Sequence, residues 1–189
     1  DQNGEVYTWG LNDGCQLGNG TKISTSVPQD IGYQGRVVAA GPRPAAYLTA
    51  LGEIEVWGSN NAGEAGQAPS ANKAPVCTPT EVPYPAANWI DVAAGDSFTV
   101  ALAADGTIWT WGANNLGQLG RASTAQPWLP AKVASARPWI AIAAGTSHVL
   151  AINDKGELWG WGSNDDGQLG VANTTSSFGT TEVRSSSTI

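Results

Sequence analysis

Four times along this chain a strand ending in Trp-Gly runs into a turn built on Asn and Gly: VYTWGLNDGCQLG, IEVWGSNNAGEAG, IWTWGANNLGQLG and LWGWGSNDDGQLG. The tryptophans are Trp9, Trp57, Trp111 and Trp161, spaced 48, 54 and 50 residues apart. A period near 50 marks a repeat architecture, in which each unit buries its apolar face only against its neighbours. The repeats run over approximately 1–50, 51–104, 105–154 and 155–189, the last incomplete, within a single unit of 189 residues.

Each repeat carries three landmarks: the Trp strand, the Asn-x-x-Gly-Gln-Leu-Gly turn, and an apolar strand ending Ala-Ala-Gly at 38–41, 92–95 and 142–145. A further strand follows the last landmark, so each repeat offers four short strands separated by Gly, Asn, Pro and Asp turns. No segment keeps a 3.6-residue apolar period for three turns without Pro or Gly, which argues against helices. The expected class is all-β, with blades of four antiparallel strands packed radially as a β-propeller. Small Ala-Ala-Gly strands suit close approach near an axis, and the Trp rings suit the widening space between blades. Gln16, Gln118 and Gln168 recur inside the turn, where an amide can satisfy backbone groups left unpaired.

On these residues the chain resembles the regulator of chromosome condensation repeat family, whose hallmark is a Trp-Gly-x-Asn-x-x-Gly-Gln-Leu-Gly core followed by an Ala-x-Gly strand. The match is strongest in the third and fourth copies and weaker in the second, where Gly63-Glu64-Ala65-Gly66 stands. The resemblance implies a propeller, commonly of seven blades, that acts as a scaffold for protein–protein recognition. Activities known in the family include nucleotide exchange on a small GTPase and inhibition of β-lactamases by a secreted bacterial member, and fold alone does not choose between them.

Four Trp strands stand against three Ala-Ala-Gly strands. The expectation is an arc of a larger ring, belonging to a longer chain or an oligomer, because an arc presents two sheet edges with unpaired backbone groups. The chain has no Met and opens on Asp1, which reads as a processed, excised or partial chain. A protein partner, or further copies or blades, is the expected partner class. Net charge is −7 with nine Lys and Arg and no basic cluster, which argues against nucleic-acid binding. No apolar run approaches the ~20 residues of a membrane-spanning helix. The acidic, weakly charged composition fits an extracellular or cell-surface protein.

Departures from the repeat mark the candidate sites. Cys15 occupies the place of Gly63, Gly117 and Gly167, and Cys77 lies in the loop of the longest repeat. The two are read as a candidate disulfide, which would imply an oxidising compartment; the alternative is two unrelated thiols. Pro42, Arg43 and Pro44 replace Asp96-Ser97-Phe98, Trp128 has no counterpart in the other copies, and a long loop runs from Pro69 to Pro85. These are candidate interface residues, with packing as the competing role. His148 is the only His and sits where the other copies have Phe98 and Pro44, so it reads as structural. Asp13, Asp165 and Asp166 read as solvated turn residues rather than calcium ligands. No arrangement of nucleophile, base and acid is visible, so no enzyme activity, metal or cofactor is expected.

Overall fold

The computed structural model describes residues 2–83 and 88–183, which form strands and turns without a helix. A two-stranded sheet pairs β1 (Glu5–Gly10) with β2 (Thr25–Gln34). Three four-stranded sheets follow. The second contains β3 (Val37–Ala40), β4 (Pro44–Leu48), β5 (Ile54–Gly58) and β6 (Val76–Glu81). The third contains β7 (Trp89–Ala94), β8 (Phe98–Ala103), β9 (Ile108–Gly112) and β10 (Ala131–Lys132). The fourth contains β11 (Trp139–Ala144), β12 (His148–Asn153), β13 (Leu158–Gly162) and β14 (Ser177–Glu182). All pairings are antiparallel between consecutive strands, so each four-stranded sheet is a meander. Each begins at an Ala-Ala-Gly strand and straddles two of the repeats counted from the sequence.

The sheets pack as blades of a β-propeller, with β3 and β4 against β7, and β7 and β8 against β11. Strands β4 and β8 are buried at every residue because they lie inside the blade stack. Ala46, Leu48, Val56, Val92 and Trp111 belong to the core between the second and third sheets. Val100, Ile108, Leu119, Val149 and Trp161 belong to the core between the third and fourth. Close approach of the inner strands explains the Ala-Ala-Gly signature: a Cβ on Gly41 would collide with the Gly95 carbonyl oxygen and come within 3.1 Å of the Ala94 Cβ.

The Gly of each Trp-Gly pair has a positive φ, and in three of the four it sits at a break in strand register. Gly10, Gly58, Gly112 and Gly162 have φ between +98° and +112°, and register shifts precede Gly10, Gly58 and Gly162. A left-handed bulge of this kind favours glycine. It ends the Trp strand and throws the chain into the Asn turn.

Candidate functional site: the open edge beside Trp9

The repeated turn is organised by an Asn, buried in three of the four copies, whose role the sequence pattern alone did not reveal. Asn12, Asn60, Asn114 and Asn164 each accept a hydrogen bond at Oδ1 from the backbone N–H five residues on, at 2.9, 3.1, 2.9 and 2.9 Å. Their Nδ2 groups donate across the loop to carbonyls of Thr21, Gln67, Arg121 and Asn173. The glutamines work beside them. Gln16, Gln118 and Gln168 accept from the N–H two residues earlier at 2.8, 2.8 and 3.0 Å, and Glu64 does the same with a carboxylate oxygen at 2.7 Å.

The turn then serves the next blade. The indole N–H of Trp57 donates to the Gln16 carbonyl at 2.8 Å, that of Trp111 to the Glu64 carbonyl at 3.0 Å, and that of Trp161 to the Gln118 carbonyl at 3.1 Å. The acceptor is main chain, so the Gln-to-Glu change in the second copy leaves this interlock intact. The closing glycine of the turn makes room for the ring: a Cβ on Gly18 or Gly120 would lie 2.8 or 2.7 Å from the indole of Trp57 or Trp161.

Trp9 breaks the series. The residue is 59% exposed, against 2% for Trp57, and among the described residues no blade precedes it. Strand β1 pairs only with β2, whereas its counterparts β5, β9 and β13 each have an inner neighbour. Where two inner strands stand in the other sheets, the first sheet has an apolar cleft of about 610 Å³, lined by Val6, Trp9, Leu11, Val38, Ala46 and Trp57 among others. Val38 is 66% exposed while Val92, its equivalent one blade on, is 4% exposed.

Cys15 and Cys77 are joined by a disulfide that ties the turn of the first sheet to the outer strand of the second. Cys15 has φ of +63°, in the same left-handed region as Gly63, Gly117 and Gly167. A side chain there costs backbone strain that glycine avoids. The bond therefore reinforces the blade that has the fewest strands.

The candidate interface residues divide. Pro42 and Arg43 are exposed, whereas Pro44 is buried as the first residue of β4. Arg43 reaches the next blade through an ion pair with Asp96 at 3.1 Å. Trp128 is half-buried, and its Cβ lies against Gly63 in the turn of the preceding blade. Packing across blades accounts for much of this side chain. Residues 84 and 85 of the long loop lie outside the described residues. His148 packs its ring over Gly145, as Phe98 does over Gly95, and burial holds its pKa below the ordinary value. Asp13 accepts from the Gln16 amide and Asp165 from Ser176. Among the described residues no group of three or more His, Cys, Asp or Glu is placed to hold a metal ion, and no helix is long and apolar enough to cross a membrane.

A family model described as the Regulator of chromosome condensation (RCC1) repeat matches residues 3–41, 52–102, 105–152 and 155–185. A second model of the same repeat matches 89–118 and 139–168. The human Regulator of chromosome condensation is 36% identical over 126 residues, covering 64% of this chain and 29% of that protein. Human E3 ubiquitin-protein ligase HERC2 is 34% identical over 136 residues, covering 64% of this chain and 3% of that protein. Among solved structures, Prp20p from Saccharomyces cerevisiae superimposes with a TM-score of 0.87 at 22% identity, covering 97% of this chain and 47% of that one. Human WBSCR16 gives 0.86 at 24%, with 97% and 49% covered. The chain thus spans less than a third of these curated relatives and about half of these solved structures.

Proposed function

The chain belongs to the regulator of chromosome condensation repeat family, and on that premise we propose that it is a non-enzymatic recognition section of a larger propeller. The single observation that carries this reading is the unpartnered Trp9 edge with its apolar cleft, beside three equivalent turns that are each closed by a neighbouring Trp. The occupant that fits the cleft is an inner hairpin of the Ala-Ala-Gly type. Strand pairs β3–β4, β7–β8 and β11–β12 fill the corresponding place in the other sheets. A second copy of the described arc would not supply one, since all three of its inner pairs are already paired. Addition of such a pair at an open sheet edge combines main-chain hydrogen bonds with side-chain pockets for specificity.

The test is calorimetric titration of the chain with a synthetic peptide of the sequence of residues 139–153. Saturable binding that is lost in Trp9→Glu supports the reading. No binding, or binding unchanged by that substitution, overturns it.

The disulfide supports a location outside the cytoplasm, at the cell surface or secreted. Intact-mass measurement of natively sourced protein checks this: two hydrogens gained on reduction are expected, and free thiols before reduction contradict it. A second reading, regulation of a signalling protein, is favoured by the likeness to the Regulator of chromosome condensation and to Prp20p, a protein described with binding properties toward Gsp1p and histones. It requires a reduced, intracellular chain, so the same mass measurement separates the two.

A further inference from the structure

In the third and fourth sheets two indoles meet across a strand that separates them. Trp89 opens β7 and Trp109 lies on β9, with β8 between them. Strands two places apart in a sheet are separated by about 10 Å, yet these rings meet edge to face with centroids 6.0 Å apart. The residue of β8 opposite Trp109 is Ala101, on the same face of the sheet and small enough for both rings to close over it. Trp139 and Trp159 repeat the arrangement at 6.1 Å, over Ala151 of β12.

The second sheet fills the same place differently. Glu55 stands two residues before Trp57, as Trp109 does before Trp111 and Trp159 before Trp161. Opposite it on β4 is Tyr47, whose buried ring lies 5.9 Å from that of Trp57 and 6.0 Å from that of Tyr33 in the first sheet. Gly35 takes the place of Trp89, and a Cβ there would lie 2.7 Å from the Tyr47 Cδ2. Three positions are thus coupled by volume: Trp, Ala and Trp in two sheets, and Gly, Tyr and Glu in the other. A ring on the middle strand excludes a side chain at the start of the hairpin, and a ring on the Trp strand goes with alanine opposite.

The first sheet holds one member of such a triplet. Tyr7 stands two residues before Trp9, lines the open cleft and is 40% exposed. Tyr7-Thr8-Trp9-Gly10 differs from Trp109-Thr110-Trp111-Gly112 only at its first residue, aromatic in both, whereas the second sheet has Glu55-Val56-Trp57-Gly58. With Tyr7 supplying the ring of the Trp strand, its complement is an alanine opposite and an indole that closes over both, an edge-to-face pairing that adds to simple burial. The two types of hairpin share one register, Val38 opposite Tyr47 and Val92 opposite Ala101, so main-chain pairing accepts either and side-chain volume makes the choice. We propose that the cleft beside Trp9 selects an inner hairpin with tryptophan at the start of its first strand and alanine opposite Tyr7, and discriminates against the glycine–tyrosine type of the second sheet. This specificity rests on the edge being a docking site for such a hairpin, and adds the side chains by which the occupant is chosen.

Calorimetric titration of the full chain compares a peptide of residues 89–103 with the same peptide carrying both Trp89→Gly and Ala101→Tyr. The unsubstituted peptide is expected to bind at least about fivefold more tightly. In the chain variant Tyr7→Glu, which copies Glu55, that preference should fall below the same threshold or reverse. Should Tyr7→Glu fail to fold, the comparison of the two peptides on the parent chain decides. A smaller difference on the parent chain, or a preference for the substituted peptide, would leave docking at the edge standing and overturn the specificity. A preference that persists undiminished in folded Tyr7→Glu would overturn it as well, since Tyr7 would then not set the choice. Binding of neither peptide would overturn the specificity together with docking at the edge.

Discussion

The first sheet and the third carry almost the same turn in opposite surroundings. In the third, the Gln118 carbonyl receives the indole of Trp161, and Trp111 reaches back to the Glu64 carbonyl. In the first, the Gln16 carbonyl receives Trp57, but Trp9 reaches toward solvent. The interlock is thus directional: each blade offers a carbonyl forward and an indole backward. The difference teaches that the Trp-Gly signature encodes a joint between units. Where the joint is unmade, other devices hold the blade, chiefly the disulfide and the small cluster of Val6, Ala45, Tyr47 and Trp57.

Breaking equivalent tryptophans sharpens the contrast most. Trp111→Ala removes a fully buried ring and leaves the Glu64 carbonyl without its donor, and should cost about 3–5 kcal/mol in urea unfolding. Trp9→Ala should cost less than about 1 kcal/mol. Equal losses would remove the distinction between joint and edge.

Removing the disulfide comes next. Closing a loop of 63 residues (77−15+1) constrains the unfolded chain by about 4 kcal/mol in the entropic account, and Cys15→Ala with Cys77→Ala should lose up to that amount. Cys15→Gly with Cys77→Ala should recover about 1 kcal/mol of the loss, because glycine relieves the left-handed backbone at residue 15. The difference between the two double variants is the quantity to measure.

A smaller effect separates two turn glycines with nearly the same φ, +63° at Gly120 and +65° at Gly170. A methyl at Gly120 meets the Trp161 ring at 2.7 Å, while at Gly170 the nearest atom is the Val183 Cγ1 at 3.3 Å. Gly120→Ala should therefore cost about 2–4 kcal/mol, from overpacking added to strain. Gly170→Ala should cost about 1–2 kcal/mol, mainly from backbone strain.

The smallest effect is in pH. Burial lowers the His148 pKa below its ordinary 6.5, so the unfolded chain binds this proton more readily than the folded one. Stability contributed by the neutral ring is present above pH 6.5 and is lost as pH falls toward the lower folded value. His148→Phe, which copies Phe98, should show a flatter stability profile over that window in denaturant titrations at several pH values.

The strands and the turns were legible because each depends on local chemistry: short apolar segments bounded by Gly, Asn, Pro and Asp turns, Gly at left-handed positions, Ala where strands converge. The glutamine side chain was legible for the same reason, since it serves the N–H two residues away. The forward role of residue 16, 64 or 118 was not, because the group that accepts the next indole is a main-chain carbonyl and leaves no trace in residue type. Asn12 and its equivalents were visible as a motif, but their bonds across the loop depend on how the chain folds back. Trp128 looked unshared in sequence; its contact with Gly63 spans two blades and follows only from their packing. The unpartnered indole of Trp159 follows Glu157, which stands where Thr107 accepts from Trp109, turning to Asn153, a choice made by side-chain geometry.

The central claim is the directional joint, and hydrogen exchange of the indole N–H protons reads it residue by residue. In the isolated chain, Trp57, Trp111 and Trp161 should be protected while Trp9 exchanges at the rate of a free indole. Protection of Trp9 equal to the other three, or exchange of any of the three as fast as Trp9, would contradict the account.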